Sequence, residues 1–192
     1  MSAVHSVTVT QLLEAGFMRQ QPVQAANLLE RLGASEAVAA LDHCEAPDIA
    51  LVLERLSPTQ AELLLTLIEP ALASAVVSRM SVPRAALLLR MMEPRQRTVL
   101  LASLADDVRA YISQVLDSPP NSAAAMMDPR VFQLHPTMPV QEALTLLRRQ
   151  QYHRTYTNAQ RIMLLLDAER RIEGMVAIQD LALAAPDELL RD

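Results

Sequence analysis

Apolar residues along much of the chain come in short bursts, and prolines set their spacing. Between positions 47 and 94 the prolines are Pro47, Pro58, Pro70, Pro83 and Pro94, a nearly even series. The fifth and sixth residues after each are Val52-Leu53, Leu63-Leu64, Ala75-Val76, Leu88-Leu89 and Val99-Leu100. Proline suits the first turn of a helix, where its absent N–H has no partner to lose. Each proline therefore predicts the start of a short helix, not a kink in a long one. Ser57-Pro58-Thr59-Gln60 predicts a capping box at one such start. Extended outward, the beat predicts further starts near residues 35, 106 and 119; GASEAV and ADDVR supply Ser, Glu and Asp for the first two.

Longer segments repeat as well. AANLLERL (25–32) matches IALVLERL (49–56), and LVLERLSPTQAELLLTL matches LLLRMMEPRQRTVLLAS. A helix of two or three turns does not stand alone in water. A fixed period of such helices predicts a stacked array in which neighbours bury each apolar face. The array is expected over residues 8–117. DSPPNSAAAMMDP (117–129) breaks the beat and predicts a linker over 118–128.

The pattern then changes. VFQL (131–134) reads as a strand. VQEALTLLRRQ (140–150) reads as an amphipathic helix with Val140, Ala143, Leu144 and Leu147 on one face. IMLLLD (162–167) and IEGMVAI (172–178) read as strands joined at AERR, and DLALA opens a last helix. The fold class expected is α+β, mostly α: a superhelical array of short helices followed by a small α/β unit over 129–192.

Composition narrows the function. A net charge of −5 argues against a nucleic-acid surface. All 17 basic residues are arginine, in runs no longer than two. The single cysteine, Cys44, excludes a disulfide framework and fits the cytoplasm. No charged and apolar leader opens the chain, and no apolar run approaches the roughly 18 residues that span a bilayer. A soluble protein is expected.

Catalytic readings are thin. His5, His43, His135 and His153 are scattered, and His43-Cys44-Glu45 has no second cluster to complete a metal site. With three glycines there is no Gly-rich phosphate loop. The expected answer is that the chain is not an enzyme.

The tail resembles a known motif. Residues A-MM-DP, a strand, T-M-P-V-x-E-A-L and then L-L-L-D-A-E-R-R-I-E-G-M-V-A-I-Q-D-L look like a CBS motif, with Asp167, Arg171, Ile172, Gly174, Val176, Asp180 and Leu181 at matching places. Short helices on a beat of about twelve residues, followed by such a motif, resemble the cytosolic region of MgtE-type magnesium transporters. A similar short-helix array occurs in flagellar-motor switch proteins.

The resemblance carries several implications. CBS motifs work in pairs, so a single one implies a homodimer through that unit. It implies a regulatory or sensor role beside a membrane transporter, with no membrane insertion of its own. It implies Mg²⁺ held by carboxylates, for which the candidates are Asp106, Asp107, Asp128, Asp167 and Glu169, with Asp180 also available. A ligand that neutralised acids at the junction of the two parts would change the angle between them. The chain departs from the pattern where Arg84, Arg95 and Arg97 stand in place of acids, and where Ala124-Ala125 replaces a glycine pair. CBS motifs also bind adenine nucleotides. Asp180 stands where a ribose-binding Asp belongs, Ala177 stands where a phosphate-binding hydroxyl belongs, and Arg161 and Arg154 are available to phosphates. Asp180 also reads as the N-cap of the last helix. The alternatives to a magnesium-linked regulator are thus an adenine-nucleotide sensor and a protein-interaction scaffold.

Overall fold

The computed structural model describes residues 16–151 and 162–191, which form two compact units divided in sequence between Met127 and Asp128. In the first unit a short helix, α1 (Phe17–Gln20), precedes α2 (Pro22–Leu29), α3 (Ala34–Leu41), α4 (Ala46–Leu53), α5 (Pro58–Leu67), α6 (Pro70–Val77), α7 (Val82–Met91), α8 (Pro94–Ser103) and α9 (Asp106–Leu116). From α2 to α9 the first residues are Pro22, Ala34, Ala46, Pro58, Pro70, Val82, Pro94 and Asp106, so the step from one helix to the next never varies. The uneven proline spacing has a simple origin. Pro58, Pro70 and Pro94 occupy the first helical position, whereas Pro47 and Pro83 occupy the second.

Each turn is made the same way. The residue before each helix from α3 to α9 is extended, with ψ between 135° and 153°. Before Pro58, Pro70 and Pro94 the ring pushes that residue out of the helical region, so one proline ends a helix and starts the next; at the other turns the extended residue is not itself followed by proline. The packing partner of each helix is the one two places on: α2 with α4, α3 with α5, α4 with α6, α5 with α7, α6 with α8, and α7 with α9. Two rows of helices result, and the structural repeat is a pair of helices. Buried positions recur once per pair: Ala37, Ala61 and Ala85 in one row, with Leu41, Leu65 and Leu89 beside them, all at most 1% exposed.

The repeat also shows how the stack ends. One repeat on from Ala85 and Leu89 stand Arg109 and Ser113, both partly exposed. In the other row Ile49 and Ala73 are buried, and Arg97 follows, partly exposed. A stacked array needs a polar outer face on its last unit. Arg97 and Arg109 provide it. The helix start expected near 119 does not form. Pro119 and Pro120 are adjacent, Asn121 takes φ 66°, and only a four-residue helix, α10 (Ala123–Met126), follows. Arg90 closes the end of α9 by donating to the carbonyls of Val115, Leu116 and Ser118 at 2.8, 3.1 and 2.8 Å.

A second device repeats with the array. Glu30, just after α2, accepts the backbone N–H of Ser57 at 2.8 Å. Glu54, one repeat later, accepts the N–H of Ser81 at 2.6 Å and its hydroxyl at 3.1 Å. Each carboxylate ties the end of one helix to the start of another three places along. This corrects the capping box expected at Ser57. Ser57 is the N-cap, but its hydroxyl makes no cap bond. In a capping box the side chain three residues into the helix takes the N-cap N–H; here Glu30 has already taken it, leaving Gln60 no donor.

The second unit begins at Asp128 and holds a three-stranded sheet in the order β1 (Phe132–Leu134), β2 (Ile162–Leu166), β3 (Ile172–Ala177). β1 and β2 are parallel, with α11 (Val140–Gln151) between them in sequence; β2 and β3 are antiparallel. Val140, Ala143 and Leu147 of α11 bury with Met163, Leu165 and Leu181 in one core. Leu181 lies on α12 (Ile178–Leu183). The segment after α12 returns to the start of α11: Val140 and Gln141 donate to the carbonyls of Glu188 and Pro186, each at 3.0 Å. Those are orphan donors of the first helical turn. Among the described residues no helix is long and apolar enough to cross a membrane.

Removing one of the paired staples should weaken the array without changing its shape. Glu54→Ala is expected to lower the stability to urea by about 1 kcal/mol, the usual worth of a helix cap. The effect of Glu30→Ala should be smaller, since Ser57 gives only one bond. Loss of less than about 0.3 kcal/mol from Glu54→Ala would mean that helix packing alone sets the stack.

Candidate functional site

The carboxylates singled out from the sequence lie in three places. Asp106 and Asp107 open α9, where the N-terminal dipole favours acids. Asp106 pairs with Arg109 one turn on. Asp128 lies at the start of the second unit, gripped by Arg130: its Oδ1 accepts the backbone N–H and Nε of Arg130, both at 3.0 Å, and its Oδ2 accepts Nη2 at 2.8 Å. The side chains of both are more than nine-tenths buried. Asp167 and Glu169 lie in the β2–β3 turn and share Arg171, at 2.8 and 3.2 Å.

Most of these groups are therefore matched already, by an arginine two to four positions away in sequence. Mg²⁺ takes oxygen ligands in a near-octahedral set and keeps several waters. Among the described residues no three carboxylate, imidazole or thiolate side chains converge on a point. The acids of each unit, as placed, do not fit a magnesium cage.

The β2–β3 turn carries bonds beyond these ion pairs. Asp167 accepts the backbone N–H of Arg171 at 2.7 Å, and Arg170 takes φ 63°, a left-handed conformation that costs a side chain strain. Arg170 is held there by a bond from Nη2 to Gln133 Oε1 at 3.0 Å. The Arg171 amide, and then its side chain, hold the Asp167 carboxyl below the usual carboxylate range.

At the start of α12, Asp180 is the third residue of the helix and not its N-cap, which is Ala177. Its Oδ2 accepts the Ala177 N–H at 3.2 Å, half of a capping box. The reading of Asp180 as the N-cap is thus corrected, though its role as a cap stands. Ala177 offers no hydroxyl to a phosphate. Arg161, Arg154, His5 and His153 lie outside the described residues.

The remaining candidates are structural. Cys44 is half-buried, its thiol donates to the Ala40 carbonyl at 3.2 Å, and burial pushes its pKa up, away from a reactive thiolate. His135 Nδ1 accepts the Thr137 N–H at 3.3 Å within the turn before α11. Arg84, noted for replacing an acid, donates to the carbonyls of Leu53 and Leu56 and closes the end of α4. Glu30 and Glu54 are visible in the sequence only as the shared L-E-R-L of the two matching segments; nothing local to them announces a partner three helices away.

The helical unit matches a family model, the MgtE intracellular N domain, over residues 20–121, just over half of the chain. The chain belongs to that family. Two solved structures share the fold of nearly the whole MgtE-like chain. The soluble part of a magnesium transporter is 20% identical with a TM-score of 0.57, over 97% of this chain and 77% of that one. The cytosolic domain of the Mg²⁺ channel MgtE, in complex with ATP, is 21% identical with a TM-score of 0.56, over 96% of this chain and 78% of that one. No curated protein matches. The mostly helical α+β fold expected from the sequence is thus the fold of MgtE cytosolic domains.

The hairpin of this MgtE relative should be acid-sensitive in a defined direction. A carboxyl whose pKa is lowered by folding stabilises the fold above its unfolded value, and that contribution is lost as pH falls through the folded value. Stability due to Asp167 should be complete at neutral pH and fade below about pH 4. Asp167→Asn should flatten that part of the acid dependence of the urea midpoint. An unchanged profile would show that the turn is held by its backbone alone.

Proposed function

We propose that this chain is a non-catalytic regulatory module of the magnesium-transporter kind, acting in the cytoplasm as a dimer of its second unit. In this reading an array over residues 8–117, of which 8–15 lie outside the described residues, is joined through 118–128 to a CBS-like unit over 129–192. The observation that carries it is the outward face of the sheet. Along β2, Met163 and Leu165 point into the core, while Ile162, Leu164 and Leu166 point away. Their partners across the register are Ala177, Met175 and Ile172. These six apolar side chains, with Gln133 of β1 beside Leu164, form the outer face, and Met175 is 68% and Ile172 64% exposed. A three-stranded sheet with two apolar faces needs cover on both. A second copy offers the same surface, self-complementary about a two-fold axis.

The family supports a role beside a membrane transporter as partner, with Mg²⁺ or an adenine nucleotide as ligand. For Mg²⁺ the assigned acids are Asp106, Asp107, Asp128, Asp167 and Glu169, most of them paired with arginine, so the expected response to the ion is weak. For a nucleotide the assigned residues are Asp180, Ala177 and Arg161. The ATP bound to one structure of the same fold favours that second reading.

Two measurements test these proposals. The chain should sediment as a dimer at micromolar concentration, and Met175→Glu should give a folded monomer. A wild-type monomer would remove the dimer reading. Melting temperature should rise by no more than a few degrees with Mg²⁺ up to roughly a hundredfold excess over protein. A large saturable rise specific to Mg²⁺ would instead make the chain a magnesium sensor, and one specific to ATP a nucleotide sensor.

A further inference from the structure

An open groove of about 630 Å³ runs between α6 and α8, in the helical unit. Its floor is Leu65, Ile68, Ala73, Met92 and Leu100, all at least nine-tenths buried. Val99 forms one wall and is 65% exposed, although it sits mid-helix beside a buried leucine. Arg95 and Gln96 stand near it.

The two-helix repeat explains why the groove is there. One repeat before Ala73 stands Ile49, which is fully buried; one repeat before Gln96 stands Leu72, which packs against the core. The contact of α4 with α6 therefore has an isoleucine and a leucine where the contact of α6 with α8 has an alanine and a glutamine. Three carbons are lost at the first position, and the second turns polar. The array is under-filled at this step, and unfilled apolar volume weakens a fold unless something else fills it.

We propose that the groove is a docking site for an amphipathic helix of a protein partner, which places an aliphatic side chain over Ala73 and an Asp or Glu against Arg95. The charge at the site selects the acid. The guanidinium group of Arg95, which lines the groove from the first turn of α8, makes no hydrogen bond or ion pair among the described residues. The acid on the opposite wall, Glu69, already accepts the Leu72 N–H at 3.0 Å and lies at the N-terminus of α6, whose dipole it complements. Arg95 is thus the charged side chain of the groove left without a partner, in a chain whose net charge is −5. The shape selects the helix. The groove is open along two helices of two to three turns, a trough in which a third helix lies with residues i, i+4 and i+7 inward. An enclosed cavity would suit a small molecule better.

The test uses the full chain and two fluorescent helical peptides of about 15 residues. Both carry Leu at i, i+4 and i+7; one has Glu beside that stripe and the other has Lys at the same place. Anisotropy should show the Glu peptide binding about tenfold more tightly than the Lys peptide, the scale of a desolvated charge pair. Arg95→Glu, an exposed change, should reverse the order. Ala73→Ile should fill the groove, raise the melting temperature and weaken both peptides about tenfold. Binding of neither peptide below roughly 1 mM would overturn the proposal, as would an order unchanged by Arg95→Glu. Displacement of the peptide by decanoate at equal concentration would overturn it in favour of a small amphiphile. Peptide binding does not depend on the dimer, so Met175→Glu should leave it intact.

Discussion

Short helices, none of them reaching far beyond three turns, are the constraint on which the helical unit rests. Each is too short to persist in water, because the cost of nucleating a helix is spread over too few hydrogen bonds. A neighbour must cover its apolar face, and the chain cannot provide that neighbour immediately, since the next helix leaves at a sharp turn. It provides it two helices later. The proline or extended residue at each turn, the constant step and the two interleaved rows all follow from that one requirement. Fully buried alanines, one per repeat, let the helices of a row approach closely, while leucines fill the spaces beside them.

Polar groups in the array serve the same stacking. Glu30 and Glu54 satisfy amides at helix starts that the short turns leave without partners, and Arg84 and Arg90 do the same for carbonyls at helix ends. Arg97 and Arg109 finish the rows by placing charge where earlier helices bury aliphatic groups. The arginine at position 84 thus has a structural cause in this chain, since an acid there could not donate to the Leu53 and Leu56 carbonyls. The same economy governs the second unit. Asp128 with Arg130, and Asp167 with Arg171, hold a chain entry and a hairpin by short-range pairs. A carboxylate engaged in that way is a poor starting point for a metal ligand, since the ion must displace both an arginine and its hydrogen bonds.

Much of the fold is legible in the sequence. The beat of prolines and apolar pairs locates the array, and α3 and α9 start within one position of where the beat puts them. The apolar run IMLLL and its partner run IEGMVAI, joined at AERR, locate the hairpin, and the four apolar residues chosen for α11 are all among those that pack into its core. Where sequence and structure part, a distant partner or a backbone clash is responsible. Ser57 looks like half of a capping box because Gln60 is three residues on, yet Glu30 reaches its amide from beyond two intervening helices. The start near residue 119 fits the period, but the two adjacent prolines there lead into a turn, with the Ser122 N–H donating to the Pro119 carbonyl and Asn121 at φ 66°. Asp180 looks like the N-cap because Ala177 carries no side chain that would advertise itself as the boundary.

The sequence by itself therefore determined most elements and their period, because these depend on residues close along the chain: helix pitch, the apolar run of a buried strand and the rigid φ of proline. Only the tertiary structure decided which helix lies beside which, and so which side chains become neighbours across a full repeat. The staples, the polar ends of the rows and the groove above Ala73 all arise at that level. Ala73 is an ordinary small residue in a helix until Ile49 is seen to occupy the same place one repeat earlier. The difference between a filled and an unfilled contact is a property of two helices brought together, and no local pattern encodes it.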